Sequence, residues 1–199
     1  MTATPPPAAA PASASLVEDF IDIFTSPAEV FQRRMGRGAV VPYLIIIVLA
    51  FALIMLSRGV FQPAMDAEFQ RATARAMAQN PQVTAAQMEQ GRAFFEKFGA
   101  IFFWISICIA ILLTGVFLWL VGKMFKATES LGDAVMVATY AWVPRVVGMI
   151  IVAVIAALMD PAKMNSMLAA SLSVGRFLDP DTTSQQIRNI AGRVDVFMI

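Results

Sequence analysis

The chain has 199 residues, of which 58% are hydrophobic and 15% charged, with a formal net charge of +1 and a mean hydropathy of +0.69. So apolar a composition exceeds what a water-soluble fold can bury, and the near-neutral charge lacks the clustered basic face that a nucleic-acid partner needs. With no His and a single Cys, Cys108, the commonest general base and metal ligand is missing and no internal disulfide can form.

Residues 1–15 are Ala, Pro, Ser and Thr without apolar periodicity, a composition that predicts a disordered tail. They have neither the basic start nor the apolar middle of a signal peptide. Leu16, Phe20, Ile23 and Phe24 then recur at helical spacing among Glu18, Asp19 and Asp22. This pattern suits a helix lying on the membrane surface or one packed on the protein's own turns. A second helix start follows, with Ser26 as N-cap, Pro27 at the first helical position and Glu29 closing a capping box. Residues 16–38 therefore read as a pair of amphipathic and capped helices ahead of the membrane domain.

Three stretches, about 39–57, 99–122 and 133–159, reach the roughly 18–20 apolar residues that cross a ~30 Å hydrocarbon core. Cys108 falls inside the second, where it reads as a small apolar filler. Arg33, Arg34 and Arg37 precede the first span and Lys123 and Lys126 follow the second. By the positive-inside rule both clusters are cytoplasmic, which puts the N-terminus in the cytoplasm. The segments at about 60–97 and 160–193 then face the other side as polar helical segments. The first is expected as two helices broken at Asn80-Pro81, with Thr84 as cap and Gln87 closing a capping box. Residues 80–88 match 179–187 at Asn/Asp, Pro, Thr, Gln and a final apolar residue. That likeness is either a distant internal repeat, whose two outer segments would pack as a pseudo-symmetric pair, or a common way to start a helix.

Within the spans, Ser106, Ala110 and Thr114 form a small-residue stripe suited to a helix-packing seam. In the third run Ala138, Ala141, Arg145 and Gly148 share a face. An arginine in a span needs a partner or water; carbonyls freed by Pro144, or the acids Glu129 and Asp133, are the candidates. Two geometries stay open: one long span kinked at Pro144, or a broken one. In the broken form 131–141 is a re-entrant or surface helix, and Trp142, Pro144 and Arg145 anchor a shorter span at the interface. Tyr140 and Trp142 read as packing or belt aromatics.

The segment from Ile23 to Phe31, the polar insert between two long spans, the short basic turn and the Tyr-Ala-x-x-Pro element from Tyr140 to Pro144 together resemble bacterial members of the Yip family. That resemblance, over residues 16–199, implies about five membrane helices, a cytoplasmic N-terminus and an interaction role without a catalytic site. The eukaryotic relatives interact with Ypt/Rab GTPases in vesicle trafficking, a pathway that a bacterium lacks. Arg in preference to Lys and the Ala-rich start suggest a GC-rich bacterial genome. The chain ends on the apolar residues Val196, Phe197, Met198 and Ile199, where the family's last membrane helices would begin, so a truncated sequence is expected.

The expectation is an all-α polytopic bundle in a bacterial inner membrane. Its partners are the lipid bilayer and either another membrane protein or a second copy of the chain. Its function is non-enzymatic and membrane-organising or interaction-based. The alternative is a small transporter or channel component that uses Arg145 beside the Pro144 kink. No catalytic, cofactor-binding or metal residue is assigned, since no acid pair lies inside a span and no zinc-binding or phosphate-loop motif occurs. The candidate functional or packing residues are Ser26, Pro27, Glu29, Tyr140, Pro144 and Arg145.

Overall fold

The computed structural model describes residues 15–196; the expected tail, apart from Ser15, and the last three residues lie outside them. Two short helices come first, α1 (Leu16–Asp22) and α2 (Pro27–Arg34). Two 40-residue helices follow, α3 (Val40–Gln79) and α4 (Ala85–Met124). After them α5 (Leu131–Ala141) and α6 (Val143–Leu158) make one 28-residue apolar run. An irregular segment with 3-10 turns at Pro161–Lys163 and Val174–Phe177 leads to α7 (Gln185–Arg193).

The protein is an all-α polytopic membrane bundle. Only 22%, 17% and 22% of the apolar windows of its three long runs is buried within the protein. The remainder points outward as rows of Val, Leu, Ile and Phe, including Leu44, Val48 and Leu56 on α3 and Ile109, Leu113 and Phe117 on α4. Such surfaces are stable only where hydrocarbon replaces water. Inward, Ile46, Ile47 and Ala50 of α3 meet Ile107 and Ile111 of α4, Met136 and Tyr140 of α5, and Val146 of α6. Gly115 permits the closest approach, since a Cβ there would stand 2.6 Å from Val135 Cγ2 and 2.8 Å from its Cα. Polar atoms in this zone are tied to helix carbonyls: Tyr43 Oη donates to Cys108 at 3.2 Å and Trp104 Nε1 to Ile47 at 2.8 Å.

At about 1.5 Å per residue a 40-residue helix is ~60 Å long, twice the hydrocarbon thickness. The expected outer helices are therefore continuations of the spans, because nothing after residue 57 breaks the helix; Pro63 lies within α3 without ending it. The hairpin turns at Asn80-Pro81, and Thr84 and Gln87 form the reciprocal cap of α4. Arg92, bridging Asp66 at 2.7 Å and Glu96 at 2.8 Å, holds the projecting halves together. At the opposite end α4 stops in a Schellman turn: Ala127 N–H reaches the Gly122 carbonyl at 2.9 Å, and Lys126 takes the left-handed position at φ 60.

The third run is one 28-residue apolar helical stretch, long enough to cross a membrane, interrupted at one residue. Trp142 keeps right-handed helical angles (φ −83, ψ −13), so α6 continues the direction of α5 and does not turn back. The break has a local cause: Pro144 has no N–H for the Tyr140 carbonyl, and its ring crowds the preceding turn.

The second outer segment departs from expectation. Between 160 and 184 it is mainly turns, with α-helix only in α7. Asn80 and Asp179 do make equivalent turns, accepting from the N–H of Gln82 at 3.0 Å and of Asp181 at 2.8 Å. The caps then diverge: Thr84 starts α4, whereas Ser184, one residue beyond the aligned Thr183, starts α7. A 40-residue helix facing a loop and a nine-residue helix is no pseudo-symmetric pair. The segment is instead clipped to α3 by Arg71–Asp181 and Glu68–Arg188.

Candidate functional site

Where the short helices meet the bundle, α1 and α2 pack beside each other and α2 packs on α5. The inward face of α1 carries Asp19, Phe20 and Ile23; that of α2 carries Val30, Arg33 and Arg34. Asp19 is fully buried, a placement that costs several kcal/mol unless the charge is paired. Arg33 Nη2 reaches its Oδ1 at 3.0 Å, Arg34 Nε binds its Oδ2, and Tyr140 Oη donates to Oδ2 at 3.4 Å. Arg33 also bridges Asp22 at 2.6 Å. Hydrogen bonding to Asp22, followed by the charge of Asp19, pushes the Arg33 guanidinium above its ordinary pKa. The Phe20 and Tyr140 rings stand 5.7 Å apart and cover the cluster.

The local sequence explains this arrangement. Ser15 and Glu18 cap α1 reciprocally, residues 23–26 reverse the chain, and Pro27 opens α2 at its first position. The two arginines then fall in the last turn of α2, where the helix dipole favours cations. Gly36 and Gly38 at positive φ turn the chain into α3, and the Gly36 N–H donates to Asp133 Oδ1 at 2.7 Å.

The site residues expected from sequence separate into three groups. Ser26, Pro27 and Glu29 stand at the start of α2, but the expected Ser26–Glu29 capping box does not form. At φ −141, ψ 56 Ser26 leaves the extended conformation that aims a cap at the first turn, and its carbonyl, 3.1 Å from the Glu29 N–H, takes over. Tyr140 joins the buried carboxylate. Arg145 lies beyond the break and leaves the cluster, with Pro144 half-buried between them.

Neither Glu129 nor Asp133 pairs with Arg145. Asp133 is taken by Gly36 and by the Ser130 hydroxyl at 2.6 Å, and the Arg145 guanidinium lies over the Trp142 ring at 5.3 Å. Sequence reasoning missed Asp19 and Asp22 as partners of Arg33 and Arg34. Their signal was an acidic pair and a basic pair on two short helices joined by a tight reversal.

Chemically the cluster is a lock, because two guanidinium groups and the Tyr140 hydroxyl occupy the oxygens of the Asp19 carboxylate. Among the described residues no group of three or more Cys, Asp or Glu side chains is placed to hold a metal ion. The outward apolar helices and the docked amphipathic pair define a multi-pass membrane protein with a fixed helical platform at one end. The chain matches the Yip1 domain over residues 21–183 and belongs to that family. No curated protein and no solved structure matches it.

Proposed function

We propose that this protein is a non-catalytic, multi-pass component of a bacterial inner membrane, with its N-terminus in the cytoplasm, that organises membrane or protein partners through the α1–α2 platform. The observation that carries this reading is two-faced burial on α1. Asp19 and Phe20, with Ile23 just past the helix end, are turned into the bundle, while Val17 and Ile21, at i and i+4, and Phe24 in the turn that follows stay exposed. A helix held this firmly while presenting an apolar stripe is pre-organised for a membrane protein partner or a second copy of the chain. Arg37, Lys123 and Lys126 at the same end support the cytoplasmic orientation.

A photo-crosslinker at Ile21 in native membranes tests the platform against one at the outward-facing Leu56. A defined protein adduct at Ile21, lost in Asp19→Asn, is the expected result; lipid adducts alone at both positions would refute the reading. Cysteines at Gln82 and Lys126, in a Cys108→Ala background, should react from opposite sides of the membrane. Labelling of both from one side would overturn the topology.

A further inference from the structure

Past the apolar run, the projecting halves of α3 and α4 border a cavity of about 490 Å³. Gly91 helps to leave it open, since nothing lies within 4 Å of where its Cβ would stand. Three methionines line the space, each from a different part of the chain: Met65 from α3, Met88 from α4 and Met167 from the segment that follows α6. A methionine in a core fills an irregular gap. These three border a gap that they do not fill, and Met65 and Met167 each keep 40% of their surface exposed, so packing does not account for them.

Polar contacts within one helical turn anchor their backbones. The Met167 N–H donates to Glu68 Oε1 at 2.9 Å, three residues after Met65. Arg92, four residues after Met88, reaches Asp66 Oδ1 at 2.7 Å. Each sulfur therefore hangs from an anchored backbone on an unbranched, flexible side chain, which lets the three close on one small guest. Met65 lies seven residues, about 10 Å, past Arg58, the first charge after the α3 span. Met88 lies nine residues, roughly 13 Å, before Lys97, the last charge ahead of the α4 span. The cavity is thus outside the hydrocarbon, where an ion arrives from water.

The other lining groups decide the class of guest. They include three carboxylates, Asp66, Glu68 and Glu96, and one guanidinium, Arg92, a balance that admits cations and repels anions. Those carboxylates are engaged: Asp66 and Glu96 by Arg92, and Glu68 by Arg188 and the Met167 N–H. A hard cation such as Mg2+, which takes oxygen ligands, would have to break these contacts. What remains is neutral, polarizable thioether sulfur, and three such donors select a soft monovalent ion. We propose that Met65, Met88 and Met167 form a binding site for Cu(I), coordinated by their sulfurs, with the carboxylates around it supplying a favourable field. The site is separate from the α1–α2 platform, so its failure would leave the Ile21 crosslinking result unaffected.

Anaerobic titration of the full chain in detergent with Cu(I), in competition with a Cu(I)-specific chelator, tests it. A Cys108→Ala background removes the chain's one thiol. One ion per chain should bind, and excess Mg2+ should not displace it. Met88→Leu, a swap that nearly conserves volume, should weaken binding by at least about tenfold, the lower end of what losing a supporting contact costs a metal site. Replacing all three methionines by Leu should abolish it. Met77→Leu, at an exposed methionine of α3 outside the cavity, should change nothing. In methionine-methyl NMR spectra the Met65, Met88 and Met167 signals should shift together when Cu(I) is added, a readout that needs no variant of the site to fold. Absence of one-to-one binding, retention of Cu(I) by the triple Leu variant, equal weakening by Met77→Leu, or shifts spread over the other methionines would each overturn the proposal.

Discussion

At the platform end of the bundle a carboxylate with no exposed surface, Asp19, takes two arginines and a tyrosine hydroxyl, and α4 and α5 close to backbone contact at Gly115. At the far end Arg71 reaches Asp181 at 2.7 Å, but that carboxylate is 68% exposed, and Phe177, Ile187 and Ile190 nearby stay uncovered. The ion pairs have similar lengths and opposite meanings. In a dry environment a pair decides which arrangement is allowed, because separating it strands a charge; in water the same pair exchanges one set of hydrogen bonds for another. The platform end is therefore held by contacts that cannot be given up without stranding a buried charge, whereas the far segment is fastened by contacts that salt and solvent can replace.

The sharpest way to break this contrast is Asp19→Ala. It takes the Asp19 carboxylate from both Arg33 and Arg34 and leaves Arg33 its bridge to Asp22, and removing half of a buried pair costs about 3–5 kcal/mol. The expected result is a melting temperature lowered by many degrees in detergent, with protease cleavage appearing between α1 and α2. A stability equal to wild type would mean that the platform is not locked. Gly115→Leu follows in size. Its side chain enters space that the Val135 backbone occupies, so α4 and α5 must separate, at about 1–3 kcal/mol for overpacking. Far-end cleavage sites should be unaffected, which limited proteolysis would check.

The same contrast explains what was legible in the sequence. The three apolar runs, the turn at Asn80-Pro81 and the Thr84–Gln87 cap are local signals, written in adjacent residues, and the structure realises them. The 40-residue length of α3 and α4 was hidden because a change from apolar to polar composition looks like a boundary, whereas hydrogen bonding runs through it. Arg33 and Arg34 were visible only as topology charges: their partner Asp19 lies 14 and 15 positions away, and pairing at that separation depends on how two helices are folded together. Ser26 shows the converse. Its residue type and spacing suit a capping box, but the reversal from α1 sets a backbone angle that prevents it. The far segment was misread as helical because Pro-x-x-Thr-x-x-Gln marks a helix start without fixing the starting residue.

Asp181→Asn probes the weaker end. It removes the Arg71 ion pair but leaves the 2.6 Å bond from Arg71 to the Asn165 carbonyl, so the loss should stay below about 1 kcal/mol. It should shrink further in high salt, where screening already weakens the wild-type pair. Hydrogen exchange over 160–193 is the measurement that resolves so small a change. A loss as large as that of Asp19→Ala would abolish the distinction between the two ends.

The smallest expected effect is a pH dependence at Asp179. The Asp181 backbone N–H, with help from Thr182 and the charge of Arg71, holds the Asp179 carboxyl below its ordinary pKa. A carboxylate lowered on folding stabilises the folded form above its unfolded value of about 3.9, and that contribution disappears as pH falls through the lower folded value. Acid should therefore loosen the turn at 179–184 and expose the Asp181 amide to exchange, in the window from about pH 4 downwards. Asp181, Glu68 and Asp66 carry the neighbouring ion pairs, so the diagnostic quantity is the difference from Asp179→Ala. That variant should start with a weaker turn at neutral pH and change less on acidification. Equal acid sensitivity in both proteins would assign the effect to the ion pairs around Arg71 and Arg188, making the far segment's attachment to α3, rather than its own turn, the part that acid releases.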